Sequence, residues 1–236
     1  MRLVDSASAV LFCWLDWVAR SDVKYGLDCH QGKTCAMIYP ASYNITLLQN
    51  SSWKASIRVT EPRKDIQSMT TSSGITLFTS ECHKLAAGNK VVFTGEPVND
   101  QSELKEPCGL DLNVVYYVLN SGLTGNAFAV GATSSGSPIA ITAPGSGLFY
   151  AAKPISLSGY TVDADVRGLQ DDQGVATFVG SLSDAENGEV LLAMSPAITS
   201  GIEIGSYGWD VSLTSSSGER YYWLQGVATV ARTYSR

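Results

Sequence analysis

Histidine is nearly absent from this chain, with two in 236 residues, and charged residues make up only 16%. A Ser–His or Cys–His nucleophile pair therefore has only His30 and His83 to draw on, and no G-x-S-x-G elbow presents a serine. Neither G-x-x-x-x-G-K-[ST] nor a G-x-G-x-x-G that opens a helix is present, so no nucleotide-phosphate cradle is expected. The five cysteines (Cys13, Cys29, Cys35, Cys82, Cys108) are odd in number and irregular in spacing, which argues against a disulfide framework. They read as reduced thiols of a protein made in a cytoplasm. Cys29-His30 with Cys35, and Cys82-His83, invite a zinc site, but no CxxC or HxxxH pair supports one. No cofactor and no metal are expected. Apolar runs fall short of the ~20 residues that cross a bilayer. The longest, Ala9–Leu15, is flanked by Asp5 and Asp16 with no cleavage motif after it, so neither membrane insertion nor a signal peptide is expected. A net charge of -6 and a pI near 4.9 exclude the basic face that a nucleic-acid binder needs to displace counterions.

What the chain does have is glycine, serine, threonine and alternating strands. In the stretch SSWKASIRVTEP, Trp53, Ala55, Ile57 and Val59 alternate with Lys54, Ser56, Arg58 and Thr60, the period of a half-buried strand. GITLF, KVVFTG, VVYYVLN and NAFAVGAT follow, each bounded by Gly, Asn or Pro. A second set opens with Tyr160, Val162, Ala164 and Val166 on one face and Thr161, Asp163, Asp165 and Arg167 on the other. VATFVGSL, EVLLAMS, GWDVSLT and YYWLQGVATV complete it, with turns at DDQG, DAENG and SSSG. Trp209, Val211 and Leu213 are expected to share a buried face. The first residues differ in texture. Ala7, Val10, Leu11, Trp14, Leu15 and Val18 fall at helical spacing, which predicts an amphipathic helix over Ser6–Arg20 capped by Ser6, followed by a loop.

The best carboxylate pairs are Asp163/Asp165 and Asp171/Asp172, which a glycosidase or a calcium site could use. Their places on a polar strand face and in a turn read as solvated surface, and no catalytic residue is expected. The aromatics are the candidate contact surface. Tyr221, Tyr222 and Trp223 in succession put rings on both faces of one strand, Tyr116 and Tyr117 do the same more weakly, and Trp14 lies on the apolar stripe of the opening helix.

Pro154–Arg236 carries the strand LSGYTVDADVR, then G-x-V-x-L at Gly188–Leu192, then Y-x-W-D-V from Tyr207, and a closing strand that ends in TYSR. In order and spacing this resembles the immunoglobulin-like β-sandwich of tailed-phage structural proteins, the group of baseplate upper proteins and long tail fibres. Such a sandwich opens with a strand of the form N-I-T-L-x-Q-x-x-x-W, matched here by Tyr43–Val59. The intervening His83–Gly147 is similar to a small β-barrel module of phage fibre proteins, itself like the first catalytic cysteine half-domain of ubiquitin-activating enzymes. That half-domain has no catalytic thiol, so Cys82 and Cys108 inherit no role.

The resemblance implies an all-β fold: a discontinuous immunoglobulin-like sandwich (37–70 plus 151–236), an inserted barrel (71–150) and a short N-terminal helix and loop (1–36). Residues 1–36 are either an assembly helix or an over-extended reading frame. The function it implies is that of a non-enzymatic virion component in the tail, baseplate or fibre attachment, made in the host cytoplasm. It would act through strand edges and aromatic faces on other virion proteins and on copies of itself. A head decoration protein, a module binding a host-surface glycan and a cell-wall glycosidase are the alternatives.

Overall fold

The computed structural model describes residues 9–13, 41–99 and 101–233, the first of these as backbone alone. The protein is all-β, and its chain divides into two compact units, Thr60–Ile155 and, on either side of it in sequence, the residues up to Val59 with Ser156–Arg236. The boundaries expected near 70 and 150 fall inside the inserted unit, because residues 64–66 and 148–152 pair with each other there.

The opening residues correct one expectation. Ala9–Cys13 is a strand, β1, and not the centre of a helix. It runs parallel to β4 (Trp53–Val59), in register from Ala9↔Ala55 to Cys13↔Val59. A short apolar run satisfies either period, and here the ladder with β4 decides. The rest of the expected helix, Trp14 included, and the loop after it lie outside the described residues. Between β1 and β4 come β2 (Ala41–Ser42) and β3 (Ile45–Leu48), both parallel to the last strand of the chain.

The inserted unit holds β5 (Lys64–Ile66), β6 (Ser68–Ser72), β7 (Ile75–Thr79), β8 (Lys90–Glu96), β9 (Val115–Val118), β10 (Ala127–Phe128), β11 (Val130–Gly131) and β12 (Leu148–Ala152). They form a three-stranded sheet, β10-β7-β6, and a five-stranded sheet, β11-β9-β8-β12-β5. Phe78, Phe93 and Phe128 make its core, with Phe78 4.6 Å from Phe93 and 5.6 Å from Phe128 between ring centres.

The chain then returns to the surrounding unit through β13 (Thr161–Arg167), β14 (Gly174–Thr177), β15 (Val179–Asp184), β16 (Glu189–Met194), β17 (Gly205–Thr214) and β18 (Arg220–Ala231). One sheet has the order β1-β4-β16-β15, the other β14-β13-β17-β18-β2 with β3 also on β18. The expected strand VATFVGSL is split: it pairs with β13 in one sheet, then with β16 in the other. The residue at the switch, Phe178, is buried and packs 5.2 Å from Trp53 and 5.9 Å from Trp209. Trp209, Val211 and Leu213 do share a buried face, and Leu224, Ala228 and Val230 of the neighbouring β18 are buried as well. Between β15 and β16 the chain turns through Gly188 at φ +70, where L side chains are strained. Between β16 and β17 lies α1 (Pro196–Ser200), whose first turn is capped by the Ser195 hydroxyl and begins with proline.

Trp209 also ties the edge of its sheet. Its indole N–H donates to the Tyr43 carbonyl at 2.8 Å, and Tyr43 N–H donates to Gln225 O at 2.8 Å. Directly across the ladder from Trp209 stands Gly226. A Cβ there would come within 1.8 Å of the same Tyr43 carbonyl, so only glycine lets the Tyr43 backbone approach this closely.

Candidate contact surface

The aromatic positions do not behave alike. Tyr116 on β9 belongs to the core of the inserted unit and is only 5% exposed, which removes it as a contact residue. Strand β9 alternates, and Tyr116 and Val118 are the inward pair. Its hydroxyl accepts from Asp111 N–H at 3.0 Å, and burial pushes the phenol above its ordinary pKa. Tyr117 is the outward neighbour, half-buried, paired with Lys90 and Gly131.

Tyr221, Tyr222 and Trp223 open β18, where the ladder with β17 slips. Val211 pairs with Leu224 but Ser212 with Tyr222, so Trp223 is the extra residue of a β-bulge. Tyr222 is exposed, with the Arg220 guanidinium 5.3 Å from its ring centre. Tyr221 is half-buried and donates to Glu219 Oε2 at 2.7 Å, a bond that raises the phenol pKa. The three rings are therefore not equivalent, and Tyr222 alone of them is well exposed.

An edge that the sequence did not single out is more open. Strands β14 and β15 end their respective sheets among the described residues. From Gly174 to Ser183 they carry no charged residue and no proline, and Val175 and Val179 are exposed, Val179 to 65%. Natural sheets guard an edge with charge, proline or a bulge. Here the guards are bulges near the two ends, at Val175 against β13 and at Ser183 against β16, with the first charge at Asp184, which leaves Ala176–Leu182 without any of the three.

The outward face of the β13–β17 pair is charged. Asp165 and Asp210 are directly opposite, an arrangement of like charges that costs free energy unless a cation intervenes. Arg167 supplies it, donating through Nη2 to Asp165 Oδ2 at 3.1 Å, with Nε 3.9 Å from Asp210 Oδ2 and Nη1 3.9 Å from Asp172 Oδ1. Burial holds the Asp210 carboxyl above the ordinary aspartate value, Arg167 pulls it down, and Asp165 adds to the rise. Thr177 donates to the second oxygen of Asp165 at 3.0 Å. Asp163 stands further along, 4.0 Å from Arg220, whose Nε donates to Ser212 at 2.8 Å. Two shallow grooves flank Arg167. One, about 380 Å³, lies between the Gly168–Asp172 turn and β17–β18 over Gly208, and reaches Ser42 and Gln225. The other, about 340 Å³, lies along β14 beside Asp165.

In the inserted unit Cys82 is exposed whereas its neighbour His83 is buried, with Nδ1 accepting from Leu85 N–H at 2.9 Å and the ring edge on Phe128. Cys108 is exposed as a free thiol. Among the described residues, no three His, Cys, Asp or Glu side chains gather as metal ligands would, and no helix is long and apolar enough to cross a membrane.

These features define an all-β protein of two compact units with an uncharged free edge and a polar grooved face. No protein-family model matches the chain, and no curated protein matches it either. Among solved structures it is similar to AggA, the major subunit of aggregative adherence fimbriae type I from Escherichia coli, at 10% identity. That likeness covers 82% of this chain and 91% of AggA, but at a TM-score of 0.18 it does not bear on fold or role.

Proposed function

We propose that this chain is a non-enzymatic structural protein that works by assembly, carried in the tail, baseplate or fibre-attachment apparatus of a tailed bacteriophage. The observation that supports assembly is the β14–β15 edge, uncharged from Gly174 to Ser183 with Val179 exposed. An edge of that kind offers unpaired backbone donors and acceptors to a strand from another chain, and its valines give the pairing an apolar face. Tyr222 adds an exposed ring to the same unit. The phage assignment rests on the resemblance of Pro154–Arg236 to tailed-phage sandwiches, and the partners it names are other virion proteins and further copies of this chain.

Sedimentation of the purified protein, with mass spectrometry of purified phage particles, tests the reading. The chain should be present in particles, and Val179→Lys should reduce its incorporation at least tenfold while its melting temperature stays unchanged. Particles that lack the chain would overturn the proposal. So would hydrolysis of cell-wall glycan that disappears in Asp165→Asn.

A further inference from the structure

The free edge does not use the larger of the grooves beside Arg167. We propose that the larger groove binds a neutral saccharide unit, whose hydroxyls are held among Arg167, Asp172, Asp210 and Gln225. This site is separate from the assembly edge and stands or falls independently of it.

The floor of the groove is open because residue 208 is glycine. A Cβ there would lie 3.7 Å from Leu169 Cδ2 and 3.8 Å from the Arg167 carbonyl, so a larger side chain would stand in the groove without striking backbone. The walls pair donors with acceptors at a telling separation. Arg167 Nη1 and Asp172 Oδ1 are 3.9 Å apart, as are Arg167 Nε and Asp210 Oδ2. The first gap is too long for a direct hydrogen bond, but one ligand oxygen about 2.8 Å from each side spans it; the second is closed to a ligand, because Arg167 Nε is buried. That oxygen must accept from the guanidinium and donate to the carboxylate at once, and a hydroxyl does both. A carboxylate or a fully ionised phosphate could not donate, and an ammonium could not accept.

The Nη1–Asp172 gap is the open one, since the Asp172 side chain is 85% exposed. Gln225, on the opposite wall, adds an amide that donates and accepts. Leu169, 60% exposed, supplies an apolar rim for the C–H face of a sugar ring. Three carboxylates, those of Asp165, Asp172 and Asp210, around the one guanidinium of Arg167 disfavour an anion, and an ammonium cannot fill the Nη1–Asp172 gap because it cannot accept from the guanidinium. The volume, about 380 Å³, lies at the small end of the range for ligand pockets.

The test titrates the full-length protein with methyl glycosides of glucose, galactose, mannose and N-acetylglucosamine, and with N-acetylneuraminic acid as the anionic comparison, followed by NMR. At least one neutral glycoside should shift the Gln225 side-chain amide and the Arg167 guanidinium signals saturably. Gly208→Val, which fills the floor, and Gln225→Ala, at an exposed position, should each weaken binding at least tenfold. Tyr222→Ala should leave it unchanged. Should Gly208→Val perturb the fold, Gln225→Ala carries the test alone. No saturable shift with any neutral glycoside overturns the proposal. Binding that survives Gln225→Ala, binding lost in Tyr222→Ala, or a preference for the anionic sugar also overturns it.

Discussion

The two units gather their cores in opposite ways. The inserted unit draws Phe78, Phe93 and Phe128 from one uninterrupted stretch, Thr60–Ile155, and closes its own ends with Thr60↔Pro154 and a Glu61 N–H to Lys153 O bond of 2.8 Å. The surrounding unit assembles Trp53, Phe178 and Trp209 from the two sides of that insertion. A core built from sequence-distant strands must first close long loops, whereas a contiguous one needs only its own segment. The difference predicts two separately addressable folding units.

The largest expected effect is on the aromatic cores. Trp209→Ala should cost on the order of 3–5 kcal/mol, as a large-to-small core change. It should lower one calorimetric transition and leave the other in place, and Phe93→Ala should do the reverse. A single transition displaced by both variants would erase the distinction between the units. Tyr116→Phe comes next: it removes the acceptor of Asp111 N–H in the inserted unit, at about 0.5–1.5 kcal/mol by denaturant melt. A loss below about 0.3 kcal/mol would place that N–H in water instead. Arg58→Ala in the surrounding unit breaks the 2.9 Å pair with Glu189, which is flanked by the Ser56 hydroxyl, and should cost about 1 kcal/mol.

A smaller effect sharpens the comparison through pH. Because burial raises the Asp210 carboxyl, the native surrounding unit binds that proton more readily than the unfolded chain. Ionisation therefore weakens this unit at neutral pH, and the cost vanishes as pH falls through the raised value toward the ordinary aspartate range. Asp210→Asn should melt above wild type at neutral pH, with the gap closing on acidification. A gap that widens in acid would reverse the assigned sign. The smallest expected change follows replacement of Thr60–Ile155 by a short Gly/Ser bridge, since the ends of the insertion lie side by side. The remaining chain should still unfold cooperatively, and a non-cooperative product would show that the surrounding unit depends on the insertion.

Strands with strict alternation were legible directly. Trp53–Val59 and Thr161–Arg167 lie where period-two patterning puts them, because each presents one face to a core and one to solvent. The opening helix was misread for the complementary reason. AVLFC is too short and too uniformly apolar for periodicity to separate helix from strand. Tyr116 and Tyr117 were read together as surface, though the alternation of β9 sends one to the core and the other outward.

By itself, the sequence determined the all-β class and the turns at DDQG and SSSG. It also determined the inward set Trp209, Val211 and Leu213, since these depend on neighbours within a few residues. Tertiary structure alone decided which strands share a sheet, and that Phe178 marks a change of sheet within one apparent strand. It also decided that β14–β15 is a free edge, and that Trp223 falls in a bulge. The groove of Arg167, Gly208, Asp210 and Gln225 is of this second kind. Its residues come from three strands, and only the ladder register, set by non-local pairing and core packing, brings them together.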